Sequence, residues 1–344
     1  MKYRKQKMAL SRKQLAKFLL RILVTTALLL WVLHQVDLQQ FWQSAKTVKW
    51  QFLIPVWALA VLFLWVNSIK LQFILKKQDC PLATSTIFRA SAITALYTMI
   101  LPGILSSGIK WYILQRATGK GSRVLSSMLY NQLSAILVGV VLGLAALIVT
   151  NPTKLLLPAY AQHRWLLPVV CTILLGATIL IYLLLLNGRT VGKIITILGL
   201  LLKPFPQNVR QKGEALLTQI ATFQTAGARF HLIVNGITII GHFGISVLTC
   251  ILASRAAGIA VPVTVLVWLY CIVFLLGRLP ISVANLGVRE ATLVGFLTLY
   301  GVEKSAALLM SMILFSALVL MAIIGALYQV CLPASASKPT QPPG

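Results

Sequence analysis

The chain alternates between long apolar runs and short segments that are polar or basic. About 20 apolar residues suffice for a helix to cross the hydrocarbon core of a bilayer. Six runs have about this length or more, and we predict that each is a membrane-spanning helix. These runs cover residues 15–33, 50–69, 124–149, 165–187, 230–254 and 304–331.

Two further apolar regions are interrupted by proline and glycine. The first, residues 87–116, is broken at Pro102 and Gly103, and the second, residues 262–300, is broken at Pro280 and the polar residues that follow. Proline removes a backbone donor and glycine loosens the backbone, so each region predicts a helical hairpin with short arms. Two topologies remain open: six spans with two re-entrant hairpins, or eight spans if both hairpins cross the membrane.

The two breaks resemble each other in sequence. Residues 101–110 read LPGILSSGIK and residues 279–289 read LPISVANLGVR. Both copies run from Leu-Pro through a serine-containing stretch to glycine, an aliphatic residue and a basic residue. With re-entrant hairpins, the two halves of the chain would have opposite orientations, as in transporters built from inverted repeats. We therefore predict an all-α polytopic membrane protein with two internal repeats.

The predicted repeats set the domain boundaries. The first membrane repeat occupies residues 1–150 and the second occupies residues 151–331. The second repeat includes a segment, residues 189–229, whose spaced apolar residues suit an interfacial linker lying on the membrane surface. Proline and serine dominate residues 332–344, which predicts a disordered tail.

Charge indicates an orientation for these elements. The 344 residues include 31 Lys and Arg against five acidic residues, for a net charge of +26, and 58% of the chain is apolar. This composition excludes an ordinary soluble enzyme, and it favours anionic lipid headgroups over nucleic acid as the partner of the basic loops. In the re-entrant topology, 23 of the basic residues, including those of segments 1–21 and 70–89, fall on one side and eight on the other. The positive-inside rule then predicts a cytoplasmic N-terminus in either topology.

Five residues beside the two breaks form the predicted binding site. Charged side chains at membrane depth are costly and mark functional sites by default. An arginine fork binds two phosphate oxygens at once, and the start of the helix after the second break would add free N–H groups. We therefore predict a lipid headgroup site that comprises Lys110, Arg278, Asn285, Arg289 and Glu290.

A structural interpretation of the same residues stays open. Arg278, Arg289 and Glu290 would then form an ion network that stabilises the fold, and Lys110 would extend to the membrane interface. Asn285 would cap the helix that follows it.

Three more polar residues lie inside predicted spans. Asn131 and Gln132 fall in the third span, where interhelical hydrogen bonding is the default role. His242 falls in the fifth span. We interpret it as a packing partner, with a role in proton transfer as the alternative.

The sequence carries no motif for catalysis, a cofactor or a metal. It lacks a phosphate-binding P-loop, an HExxH pair, a GxSxG elbow and a pair of carboxylates in one segment. Its five cysteines are scattered and form no CxxC pair. We therefore expect no catalytic residues, no cofactor, no metal site and no enzymatic activity.

Residues 101–112 and 278–291 resemble the membrane family described as the lysylphosphatidylglycerol synthase transmembrane region. The most specific piece is the Gly-Val-Arg-Glu-Ala stretch at residues 287–291, and the similarity extends over residues 10–331. This family comprises bacterial and archaeal inner-membrane proteins. Some of them are fused to a soluble domain that transfers an aminoacyl group to phosphatidylglycerol, and their membrane part is thought to move the modified lipid across the bilayer. The resemblance implies a multi-pass, flippase-like protein of a bacterial-type inner membrane. Because no soluble domain follows residue 331, we do not expect the aminoacyl-transfer activity.

Our leading hypothesis is an inner-membrane protein that binds and translocates an anionic or aminoacylated lipid. Its expected partner is a membrane phospholipid or a lipid-linked substrate. The alternatives are a membrane-embedded enzyme that modifies a lipid or a polyprenyl phosphate, and an accessory subunit of a lipid-modifying partner enzyme. Glu290 and His242 are the acids or bases available to the enzymatic alternative.

Overall fold

The protein is helical throughout the part of the chain that can be described. The computed structural model describes residues 48–99, 103–156, 162–186, 226–279 and 285–331, with isolated positions 43, 46, 101, 158 and 223. Within these ranges there is no strand, and nine helices exceed a single turn. They are α1 (Leu53–Lys77), α2 (Thr84–Thr98), α3 (Gly103–Thr118), α4 (Gly121–Thr150), α5 (Leu166–Leu186), α6 (Ala228–Ala256), α7 (Val263–Leu276), α8 (Val288–Leu299) and α9 (Lys304–Cys331).

Five of these helices are long and apolar enough to cross a membrane. They correspond to the predicted spans from the second to the sixth, so the prediction of an all-α polytopic membrane protein is confirmed. The spanning segments are Trp50–Lys77, Gly121–Thr150, Leu166–Leu184, Ala228–Ala256 and Lys304–Val330. The first predicted span (residues 15–33), most of the linker (residues 189–229) and the tail (residues 332–344) lie outside the described residues.

The end of α1 differs from the prediction. The second span was expected to end at residue 69, with Lys70 in the following loop, but the helix continues to Lys77. Leu71, Ile74 and Leu75 are all buried, and they extend the packed face of the helix beyond Lys70. Lys70 is therefore part of the helix bundle, about 10 Å from the end of α1 at 1.5 Å per residue.

Both interrupted regions fold as pairs of short helices, as the proline and glycine residues predict. Helices α2 and α3 pack against each other and form the first hairpin, and α7 and α8 do the same in the second. Their arms have 12 to 16 residues, or about 18–24 Å, which is shorter than a hydrocarbon core of about 30 Å. The re-entrant topology remains a prediction.

Each hairpin packs most extensively on a long helix of the other half. Helix α2 of the first hairpin lies against α9, and α7 of the second hairpin lies against α4. Glycine allows both contacts: a methyl group on Gly325 would lie 2.1 Å from the carbonyl oxygen of Ala92, and one on Gly143 would lie 2.9 Å from Cβ of Cys271. An inverted repeat would produce this reciprocal packing, although the repeat itself stays a prediction.

The largest buried cluster lies between α1, α6, α7, α8 and α9. Its central side chains include Val56, Trp268, Leu269, Leu297 and Met310. In a bilayer, close packing and dispersion contacts hold helices together, because lipid tails are as apolar as leucine. This cluster fixes the second hairpin against the helices that carry the site described next.

Candidate functional site

Lys70 is the most deeply buried cation in the described part of the chain. Its side chain is 1% exposed, and its Nζ donates a hydrogen bond to the backbone carbonyl of Asn131 on α4, at 3.2 Å. A buried ammonium group with one neutral acceptor is poorly compensated, since burial of charge is costly unless the charge is paired. The energetic cost marks this lysine as a candidate for ligand binding.

Both hairpins bring a further cation to Lys70. Lys110, on α3 of the first hairpin, and Arg278, just after α7 of the second, interact electrostatically with each other and with Lys70. Lys70 is buried, Lys110 is partly buried and Arg278 is exposed, so the exposure of the three side chains increases in that order. We call Lys70, Lys110 and Arg278 the cationic cluster.

Consecutive residues of α4 hold two members of this cluster. The carbonyl of Asn131 accepts from Lys70, and Oε1 of Gln132 accepts from Nη1 of Arg278. The guanidinium carbon of Arg278 also lies 4.5 Å from the ring centroid of Phe274, one turn earlier in the chain. The interhelical role predicted for Gln132 is confirmed, and these contacts fix the guanidinium of Arg278 against α4 and Phe274.

His242 and Tyr270 lie beside the cationic cluster. His242 belongs to a π-helical turn, Ile239–Ile245, in the middle of α6, and such turns recur at functional sites. Its Nδ1 is 3.1 Å from the hydroxyl of Tyr270, and its ring packs edge-on against Phe63 and Phe274. Both Lys70 and Arg278 interact electrostatically with His242. The packing role expected for His242 is present, and a polar pair is placed next to the cations.

Arg289 and Glu290 form a separate network at the start of α8. The guanidinium of Arg289 pairs with Oε1 of Glu290 through Nη2, and its Nε donates to Oγ of Ser311 at 2.8 Å. Ser311 on α9 donates in turn to Oε1 of Glu290 at 2.9 Å. Glu290 is fully buried and Arg289 is 8% exposed. The pair is thus internally compensated, as the structural interpretation of these residues requires.

Glu290 also caps its own helix. Its Oε2 accepts the backbone N–H of Gly287 at 2.7 Å, and Gly287 is the N-cap residue. The expectation that Asn285 caps α8 is wrong, because Asn285 lies two residues too early, with φ of +60°. Its carbonyl accepts the N–H of Arg289, and its side chain lies against Gly277, where a methyl group would be 2.8 Å from Nδ2.

The carboxylates of the described residues lie elsewhere. Asp79, in an exposed loop, pairs with Arg123 at the start of α4. Glu290 pairs with Arg289, and Glu303 lies just before α9 beside Ser305. The other two acidic residues, Asp37 and Glu214, lie outside the described ranges. Within those ranges, therefore, no carboxylate neutralises the cationic cluster.

An apolar cavity of about 230 Å³ adjoins the His242–Tyr270 pair. Residues of five helices, α1, α6, α7, α8 and α9, line it. Among them are Phe63 and Tyr270, which also contact His242, and Arg289, whose charge is balanced by Glu290. The described residues contain no group of three His, Cys, Asp or Glu side chains able to hold a metal ion.

A family model described as the lysylphosphatidylglycerol synthase TM region matches residues 18–326, which is nearly the whole chain. The chain belongs to this family. The match covers both hairpins, the cationic cluster and the cavity, and it confirms the resemblance carried by residues 287–291. Searches among curated proteins and among solved structures returned no match.

Membership in the lysylphosphatidylglycerol synthase TM family makes the chain an integral membrane protein related to lipid handling. Of the five residues predicted to bind a headgroup, the structure brings Lys110 and Arg278 together and places Arg289, Glu290 and Asn285 at the start of α8. Sequence reasoning missed Lys70. The apolar residues that continue the helical pattern after it were the signal that could have revealed it.

Proposed function

We propose that the protein binds the phosphate of an anionic lipid at the cationic cluster and moves that lipid across the membrane. The observation that carries this proposal is the meeting of three cations from α1 and the two hairpins, without a carboxylate among the described residues to balance them. A phosphate supplies the missing negative charge, and Arg278 and the two lysines supply charge-assisted hydrogen bonds. Arg289 and Glu290 hold the second hairpin in place.

The charge of the cluster favours an anionic lipid over an aminoacylated one. A lysyl headgroup adds ammonium groups to the phosphate, and these would face three existing cations with no described acidic partner nearby. Like charges in a medium of low dielectric constant repel strongly. Phosphatidylglycerol itself is therefore the preferred class of substrate, and its lysyl derivative is the competing one.

Movement of the lipid would follow from displacement of one half against the other. The cluster draws its residues from both hairpins, so such a displacement would open and close the space around the phosphate. The proposed location is a bacterial-type inner membrane with the N-terminus in the cytoplasm, as the distribution of basic residues predicts.

Lipid translocation in proteoliposomes tests the proposal. The purified protein is reconstituted with fluorescent phosphatidylglycerol, and the rate of exchange between leaflets is measured for wild type, Lys110→Gln and Arg278→Gln. Each of the two cluster variants loses one charge-assisted hydrogen bond, worth about 1.5–3 kcal/mol. Its affinity for the lipid should therefore fall about 10- to 100-fold, and the exchange rate should fall with it. Lys77→Gln, at an exposed lysine on the end of α1, is the matched control and should behave as wild type.

Two outcomes would contradict the proposal. Wild-type translocation by both cluster variants would remove the site, and equal translocation of fluorescent phosphatidylcholine would remove the selectivity for anionic lipid. A lysyl-phosphatidylglycerol probe that moves faster than phosphatidylglycerol would reverse the order of substrates.

The pair formed by His242 and Tyr270 supports a second candidate function. An imidazole and a phenol 3.1 Å apart, beside the proposed phosphate site, are the groups that general acid–base chemistry on a lipid or polyprenyl phosphate would use. Incubation with lipid extract, followed by mass spectrometry, would then yield a product of altered mass that is absent with His242→Phe. Activity that appears only with a co-purified synthase would instead favour the accessory role.

A further inference from the structure

The apolar cavity has the size and lining of a hydrocarbon site. Its volume of about 230 Å³ exceeds the roughly 150 Å³ of an engineered apolar cavity that stays dry and binds benzene. Most of its wall is apolar, with Ala60, Phe63, Leu266 and Leu314 among the lining residues. A flexible alkyl chain can occupy such a space, whereas a polar headgroup would lose its hydrogen bonds there.

The arginine in the cavity wall does not make it an anion site. Two nitrogens of Arg289 are engaged by Ser311 and Glu290, and the buried carboxylate balances the charge. The cavity and the cationic cluster therefore differ in kind: one is apolar and neutral, and the other is charged and unbalanced among the described residues.

The two sites share aromatic residues. Tyr270 lines the cavity with its ring, while its hydroxyl lies at His242 and the residue interacts electrostatically with Arg278. Phe63 lines the cavity too, and its ring lies 5.0 Å from that of His242. These shared residues connect the cavity, through the His242–Tyr270 pair, to the cationic cluster.

On each of three helices, a residue that lines the cavity and a residue at the cationic cluster are separated along the helix, and the cavity lies toward the same end of the bundle in all three. On α1, Ala60 lines the cavity and Lys70 joins the cluster. On α6 the corresponding residues are Cys250 and His242, and on α7 and its end they are Leu266 and Arg278.

The directions of these helices make the order consistent. Helices α1 and α6 are antiparallel, because the N–H of Lys49 meets the carbonyl of Ala256 at one end and Ile74 packs with Phe230 at the other. Leu266, near the start of α7, packs in the same cluster as Leu53 at the start of α1. Along α1 the cavity therefore begins about 10 Å from Lys70, at Phe63, and its far end, at Ala60, lies about 15 Å from Lys70, at 1.5 Å per residue. The latter distance matches half of a hydrocarbon core of about 30 Å, the depth that one leaflet's chains occupy.

We propose that the cavity binds an acyl chain of the lipid whose phosphate occupies the cationic cluster. The proposal rests on the proposed function, and it means that the protein binds both the headgroup and one acyl chain of the lipid. The headgroup lies toward the end of the bundle that carries Lys76 and Lys77, and the chain extends toward the opposite end. A free phosphate or a water-soluble phosphate ester would fill the cluster alone and leave the cavity empty.

Photolabelling of the full-length protein tests this assignment. Phosphatidylglycerol with a diazirine near the end of one acyl chain is added to the protein in detergent, and the labelled residues are identified by mass spectrometry. Labelling is expected at the residues that line the cavity on α6 and α7, which are Ser246, Thr249, Cys250, Leu266, Leu269, Tyr270 and Val273. Ala60→Phe fills the cavity, whereas Ala58→Phe adds the same bulk to an exposed position of α1. Excluding two methylene groups from the cavity should lower lipid retention and labelling about tenfold in Ala60→Phe, and Ala58→Phe should label as wild type.

The outcomes separate this proposal from the function on which it rests. Labels confined to exposed, lipid-facing residues such as Val169 and Leu180 of α5 would overturn the cavity assignment, even in the absence of any variant. So would undiminished labelling of the cavity in a folded Ala60→Phe variant. If Lys110→Gln abolishes lipid retention while wild type shows no label in the cavity, the headgroup site stands and the chain site falls. Cavity labelling that Lys110→Gln leaves unchanged would instead overturn the assignment of the phosphate to the cluster.

Discussion

The cationic cluster and the Arg289–Glu290 network each take an arginine from beside the second break, Arg278 and Arg289, yet their charges are treated in opposite ways. In the network, an arginine and a carboxylate neutralise each other, and Ser311 satisfies both. In the cluster, Lys70 has one neutral acceptor and two cationic neighbours. A buried ion that is paired with a counterion is neutralised within the fold. An unpaired buried ion can instead bind a ligand of opposite charge. Sequence alone presents both as charges at membrane depth.

Removing one partner of the network should have the largest effect on stability. Glu290→Gln keeps an acceptor for the N–H of Gly287 but leaves Arg289 as an uncompensated buried cation. We expect the free energy of unfolding in detergent micelles to fall by about 3–5 kcal/mol. The double variant Arg289→Met/Glu290→Gln should recover much of this loss, because no isolated charge remains. A single variant as stable as wild type would show that the network does not hold the fold.

Removing a cation from the cluster should have a smaller effect of opposite sign. Lys70→Met replaces a buried amine without a carboxylate partner by an apolar chain of similar length. This should be neutral or stabilising, since replacing even a paired buried charge by apolar residues is often neutral or stabilising by about 1–4 kcal/mol. The same variant should lose the stabilisation that phosphatidylglycerol gives to wild type, which amounts to about 2.7 kcal/mol at 100 times the dissociation constant. Thermal unfolding with and without the lipid measures both quantities, and Lys76→Met, at an exposed position, is the control. A Lys70→Met protein that is destabilised, yet still stabilised by the lipid, would place Lys70 with the structural charges.

An exposed ion pair should give the smallest effect and so calibrates the other two. Asp79 and Arg123 are 3.3 Å apart, with the Asp79 side chain 82% exposed. Exposed pairs contribute about 0–1 kcal/mol, and asparagine tolerates the positive φ of Asp79. Asp79→Asn should therefore change the free energy of unfolding by less than about 1 kcal/mol. A larger loss in the same denaturant titration would contradict the comparison, because the contribution of an ion pair to stability would then not depend on its burial.

Much of the fold follows from the sequence because a bilayer imposes a simple rule on it. Apolar runs of sufficient length become spans, and Pro102 and Pro280 lie where the two hairpins are interrupted. Helix boundaries at charged residues are harder to predict. Lys70 was assigned to a loop because a cation usually marks the end of a span, whereas here the helix continues for two more turns with Leu71, Ile74 and Leu75 buried.

The site was less predictable than the fold. Lys110 and Arg278 could be singled out as costly charges, but their meeting depends on how the two hairpins pack. Pairing of Arg289 with Glu290 was foreseeable from their adjacency. The hydroxyl of Ser311, however, comes from another helix, and no local pattern announces it. The cavity is likewise a product of five helices and has no signature along the chain.

The glycine contacts at Gly143 and Gly325 have a mechanical consequence. At each one the two helices approach so closely that any side chain larger than hydrogen would push them apart. If one half moves against the other, as we propose, each hairpin would therefore move together with the long helix on which it packs.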